Sequence, residues 1–92
     1  MCKDNFRVQN VSAKKLKDYD GMNYYAAKKL GYPYIDKKNV IHVRKGLSEE
    51  DKVKTVRHEK LEATLMHKYG YKYWRAHMLA DNDRLYKKHF KG

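Results

Sequence analysis

Hydrophobic and polar positions along the chain change their spacing several times, and each change marks an element. The first dozen residues are polar, with Phe6 and Val8 alternating weakly against Arg7 and Gln9. Residues 1–11 read as a short edge strand or a mobile arm. Ser12 predicts a capped short helix over 13–19, with Leu16 as its apolar contact. Asp20-Gly21 is a turn signal. Residues 23–30 predict a second helix, in which Tyr24, Ala27 and Leu30 recur at helical spacing and Gly31 closes the end. Tyr32-Pro33 stops it. Residues 34–35, a polar turn over 36–39 and the run Val40-Ile41-His42-Val43 predict a strand, a turn and a strand. In the second strand, alternation turns His42 outward to solvent.

Ser48-Glu49-Glu50-Asp51 supplies a capping hydroxyl and three acids for the first turn of a helix, where the dipole favours them. No Gly or Pro follows until Gly70, so one long helix is expected over 49–69 and another over about 74–88. Folded back about Gly70, the two helices form an antiparallel hairpin whose register can be read directly. Leu61 then faces Met78, and Leu65 faces Trp74, as an apolar seam. Glu62 faces His77, and His58 faces Asp81. His58 and Glu62 lie four apart on one helical face, as do His77 and Asp81. The one register pairs apolar with apolar and ligand type with ligand type.

Two imidazoles and one or two carboxylates make a donor set suited to zinc, or to iron or manganese if both acids bind. Asp81 reads as an alternative ligand or as a partner orienting a bound histidine. Glu59 follows His58 and points about 100° round the helix. From there it is placed as a general base rather than as a ligand.

With the strand at 40–43, the acid-capped helix and the motif His58-Glu59-x-x-Glu62, the chain resembles the core of zincin metallopeptidases. The resemblance covers roughly residues 40–81. It implies that His58 is the first zinc ligand, that Glu59 is the catalytic base, and that a later helix supplies the third ligand, here His77. The chain departs from the family pattern at Glu62, where zincins carry His. In the gluzincin branch the third ligand is usually Glu, so the kinds of ligand are kept and their order is rearranged. The resemblance also implies that the strand at 40–43 lines the cleft and aligns an extended substrate by edge pairing.

Composition adjusts this picture in three ways. The longest apolar runs are a few residues, too short to span a membrane. The N-terminus MCKDNFRVQN lacks an apolar signal region, and the single Cys2 cannot form an internal disulfide, so a cytoplasmic, reducing setting is expected. The formal net charge is +11, which attracts polyanions by counterion release. Lys68, Tyr71, Lys72 and Tyr73 interleave cations with aromatics near the hairpin turn, a pattern that can stack bases and hold phosphates. The lysines are spread along the whole chain, which equally fits a generally basic, solubilising surface. Small size with abundant Lys and Tyr resembles phage- or virus-encoded proteins.

The chain is therefore expected to be one α+β domain, a small β-hairpin or sheet packed on a C-terminal antiparallel helical hairpin, as a zincin-like minimal domain. The first functional expectation is a zinc-binding domain that hydrolyses a peptide or amide bond of a peptide or protein substrate. The alternatives are a small basic nucleic-acid-binding protein without catalysis, and a degenerate zincin that serves as a protein-interaction module.

Overall fold

A computed structural model describes residues 6–17 and 19–81 of the chain. Strand β1 (Arg7–Val11) leads into a one-turn helix, α1 (Ala13–Leu16), and then into the two-residue strand β2 (Gly21–Met22). Helix α2 (Tyr24–Leu30), strand β3 (Val40–Arg44) and the helices α3 (Glu49–His67) and α4 (Tyr73–Ala80) follow. The result is a mixed α/β fold with a small three-stranded sheet. No helix among the described residues is long and apolar enough to cross a membrane.

The sheet order is β1-β3-β2. β1 runs parallel to β3, with Arg7 opposite Val40 and Val11 opposite Arg44. β2 runs antiparallel to it, with Gly21 opposite Val43 and Met22 opposite His42. The expected hairpin across residues 34–43 does not form. Tyr34 lies in a turn and Ile35 in irregular backbone, and β3 takes its partners from the N-terminal part of the chain. That position suits its sequence, because a β-branched run without strict alternation is what a central, covered strand requires. Val40, Ile41, His42 and Val43 are all buried, so His42 does not project into solvent as its place in the alternation suggests.

Helix α2 starts and ends as expected. Asn23 caps it by accepting from the Ala26 N–H, and Gly31 adopts the left-handed conformation at φ 88° that ends it. Helix α1 is shorter than expected, and the Ser12 side chain makes no capping hydrogen bond. Ser48 does cap α3, accepting from the Asp51 N–H at 3.1 Å. α3 is the spine of the molecule and packs against β2, β3, α2 and α4. Gly70 sits at φ 72° where the chain reverses into α4. The expected continuation of α4 to residue 88 lies outside the described residues.

The hairpin seam differs from the expected one. Trp74 is 62% exposed and Met78 is 60% exposed. The residues of α4 that meet α3 are Ala76 and Ala80, which cluster with Leu61 and Leu65. α4 is thus turned about its axis so that its small residues face α3, which lets the two backbones approach closely. Tyr73, from the same face of α4, enters a second cluster with Val11, Leu16, Met22, Ala26, Ala27, Tyr32 and Ile35. Met66 packs against both clusters and joins them.

Candidate metal centre

The turn of α4 that buries Ala76 carries His77 to the same side, over the middle of α3. There it meets His58 and Glu62. Glu62 Oε2 lies 3.0 Å from His58 Nε2 and 2.9 Å from His77 Nδ1, and the two ring nitrogens are 3.2 Å apart. Three donor atoms of metal-ligating type therefore converge on one point. A tetrahedral zinc ion with bonds of about 2.0–2.1 Å holds its donors roughly 3.4 Å apart, so an outward shift of a few tenths of an ångström fits the ion.

Each donor is held from behind. Glu62 is 1% exposed, and its Oε1 accepts from Asn23 Nδ2 at 2.9 Å, which leaves Oε2 for the histidines. The His77 ring packs beside Tyr73, with ring centres 5.5 Å apart, and meets Trp74 edge-on at 6.3 Å. His58 Nδ1 lies 3.1 Å from Asp81 Oδ1. A carboxylate only accepts, so Nδ1 carries a proton toward Asp81, and in a neutral ring so oriented the Nε2 lone pair would be left for a metal ion at the convergence point. The hairpin register therefore brings together both polar pairs that it predicts. Asp81 contacts His58 and is not part of the group of donor atoms formed by His58, Glu62 and His77.

Burial pulls the His58 pKa down, but the hydrogen bond to Glu62 and the charges of Glu59, Glu62 and Asp81 outweigh it and hold the value above that of an ordinary histidine. Without a metal, an imidazolium at His58 bonds Glu62 on one side and Asp81 on the other. A proton and a dication compete for the same Nε2, and either one neutralises the buried Glu62.

Glu59 lies one position further along α3 and is 6% exposed. Its Oε1 accepts from the same Asn23 Nδ2 at 2.9 Å. Burial and the charge of Glu62 push its carboxyl up to about 8, against the opposing pull of His58 and Asn23. A dication at the donor triangle adds a further downward pull. Glu59 and both histidines line an open cleft of about 560 Å³, whose other walls include Tyr19 and Gly21 from the β2 approach and Thr55 from α3. The arrangement has the parts that water activation needs: a convergent donor set, a buried acid beside it and an open approach.

β3 does not take the edge role, because β1 and β2 flank it. The strand beside the cleft is β2, at the rim of the sheet. The basic and aromatic residues near the hairpin turn separate in space. Lys68, Tyr71 and Lys72 are at the surface, with Arg75 over the Tyr71 ring at 5.7 Å. Tyr73 is 3% exposed and belongs to the core, so its ring is not presented for base stacking.

Asn23 is the residue in contact with two of the site's acids that sequence reading passes over. It stands out there only as the start of α2, and nothing local signals contacts 36 and 39 residues away. No protein-family profile, no curated protein and no solved structure matches the chain.

Proposed function

We propose that the chain is a minimal zincin-like domain that binds one zinc ion through His58, Glu62 and His77 and hydrolyses a peptide or amide bond. The observation that carries this reading is the convergence of the three donor atoms within 2.9–3.2 Å, beside a cleft that also contains Glu59. A bound zinc ion supplies Lewis acidity toward water and toward the carbonyl to be cleaved. Glu59 takes a proton from the attacking water and passes it to the leaving amine. Asp81 keeps His58 in the tautomer that binds metal. The outer edge of β2 offers backbone groups along which an extended substrate can lie.

The test is metal content by mass spectrometry on protein purified without a His tag, comparing wild type with His58→Ala and His77→Ala. Near-stoichiometric zinc in the wild type, lost in both variants, is expected. Turnover of a fluorogenic peptide mixture, abolished by Glu59→Ala with zinc retained, then establishes the hydrolase. Wild-type protein that takes up no zinc when it is offered sinks the reading. Nucleic-acid affinity that falls steeply with salt and survives His58→Ala supports a basic binding module in its place.

A further inference from the structure

We infer that Asn23 is a positioning residue for the metal centre: its side-chain amide holds the ligand Glu62 and the base Glu59 in working orientation at the same time. The inference rests on the reading of His58, Glu62 and His77 as metal ligands. Its geometric ground is separate, and lies at the junction of β2 and α2.

The orientation of the Asn23 amide is fixed by its surroundings. The Ala26 backbone N–H can only donate, and it points at the Asn23 side chain at 2.9 Å. The oxygen must therefore face α2, and the NH2 group must face α3. That group has two hydrogens and two carboxylates within reach, Glu59 Oε1 and Glu62 Oε1, each at 2.9 Å. One hydrogen goes to each. All of the amide's donors and one of its acceptor sites are used, in a residue that is 1% exposed.

The consequence for Glu62 is directional. With Oε1 held by Asn23, the carboxylate rotates only at the cost of a buried hydrogen bond, so Oε2 stays aimed at the two histidines. For Glu59, the same amide donates to Oε1 and so fixes the carboxyl group beside Glu62, one turn away on α3. A cap that served only α2 would need the oxygen alone. Ser, Thr or Asp would meet that need, and none of them presents an NH2 group to two acids.

The experiment compares wild type, Asn23→Ser and Asn23→Gly for zinc affinity by calorimetry and for the visible absorption spectrum of the cobalt(II)-loaded protein. Thermal melts of the metal-free proteins are recorded alongside. Ser and Gly both serve at helix N-caps, so the start of α2 is preserved. A roughly 10- to 100-fold loss of zinc affinity and an altered cobalt spectrum are expected, from the precedent of groups that orient metal ligands. Leu16→Ala, in the core and making no hydrogen bond to the donors, is expected to lower the melting temperature and leave the cobalt spectrum unchanged. Unchanged affinity and spectrum in a folded Asn23 variant overturn the inference while leaving the metal centre intact. Failure of both variants to fold also overturns it, because Asn23 is then structural. A wild-type protein that binds neither zinc nor cobalt removes the metal reading itself, a result distinct from the other two.

Discussion

Asp81 Oδ1 lies 3.1 Å from His58 Nδ1, on the far side of the imidazole from the nitrogen that faces Glu62 and His77. The pair spans the hairpin from the C-cap of α4 to the middle of α3. The Asp81 side chain is 65% exposed, so its contact contributes little to folding. Its effect falls on the tautomer and basicity of His58. Asp81→Ala is expected to weaken zinc binding roughly 10- to 100-fold, with little change in the melting temperature of the metal-free protein. Asp81→Asn keeps an acceptor oxygen and should fall between. Calorimetric titration with zinc, paired with melts in chelator, checks both halves of this expectation.

Zinc should stabilise the fold by bridging α3 and α4. At free zinc one hundred times Kd the linkage is about 2.7 kcal/mol. For a domain of this size each kcal/mol moves the melting temperature by roughly 4–8 °C, so a rise on the order of 10–20 °C is expected. Chelator should reverse it. His58→Ala and His77→Ala should melt at the same temperature with and without zinc. A wild-type melt that ignores zinc contradicts the bridge.

Counting outward from the break at Gly70 is enough to set Glu62 opposite His77 and His58 opposite Asp81, because polar pairs on two helices joined by a short turn depend only on local periodicity. The same count misplaces the packing. It puts Trp74 and Met78 in the seam because they are the large apolar residues of α4, whereas the seam is made by Ala76 and Ala80. A close helix crossing selects small residues, and hydrophobicity alone does not reveal that. The sheet is harder still to read. β1 finds β3 across the intervening α1, β2 and α2, and β2 is only two residues long, so neither pairing leaves a local trace. The contacts of Asn23 with Glu59 and Glu62 are hidden for the same reason.

Gly21 shows how tightly β2 is held against α3. A Cβ at this position would sit 2.5 Å from Thr55 Cγ2 and 3.2 Å from Glu59 Cγ. Gly21→Ala therefore forces β2 and α3 apart, and overpacking of this kind costs about 1–3 kcal/mol. Removing the opposing methyl should give part of that back. Gly21→Ala/Thr55→Ser is expected to be more stable than Gly21→Ala alone, with a coupling on the order of 0.5–3 kcal/mol between the two sites. Urea unfolding of the wild type, the single variants and the double variant completes the cycle. Simple additivity would mean that the two residues do not press on one another.

His42 gives the fold an acid-sensitive point in the sheet, separate from the three donor residues. It sits in the central strand, 7% exposed, and its Nδ1 has no hydrogen-bond partner among the described residues. Burial lowers its pKa below the ordinary 6.5; Lys15 adds to that and Asp36 opposes it. The folded state thus binds this proton less readily than the unfolded chain does. The neutral ring's contribution to stability is complete above about pH 6.5 and is lost as pH falls through the lower folded-state value. In chelator, the wild type should lose stability between pH 7 and pH 5 more steeply than His42→Phe, which carries no proton at this position. The comparison subtracts every other titrating group, since both proteins share them. Urea midpoints at the two pH values measure the difference, and equal slopes would place the acid sensitivity elsewhere in the chain.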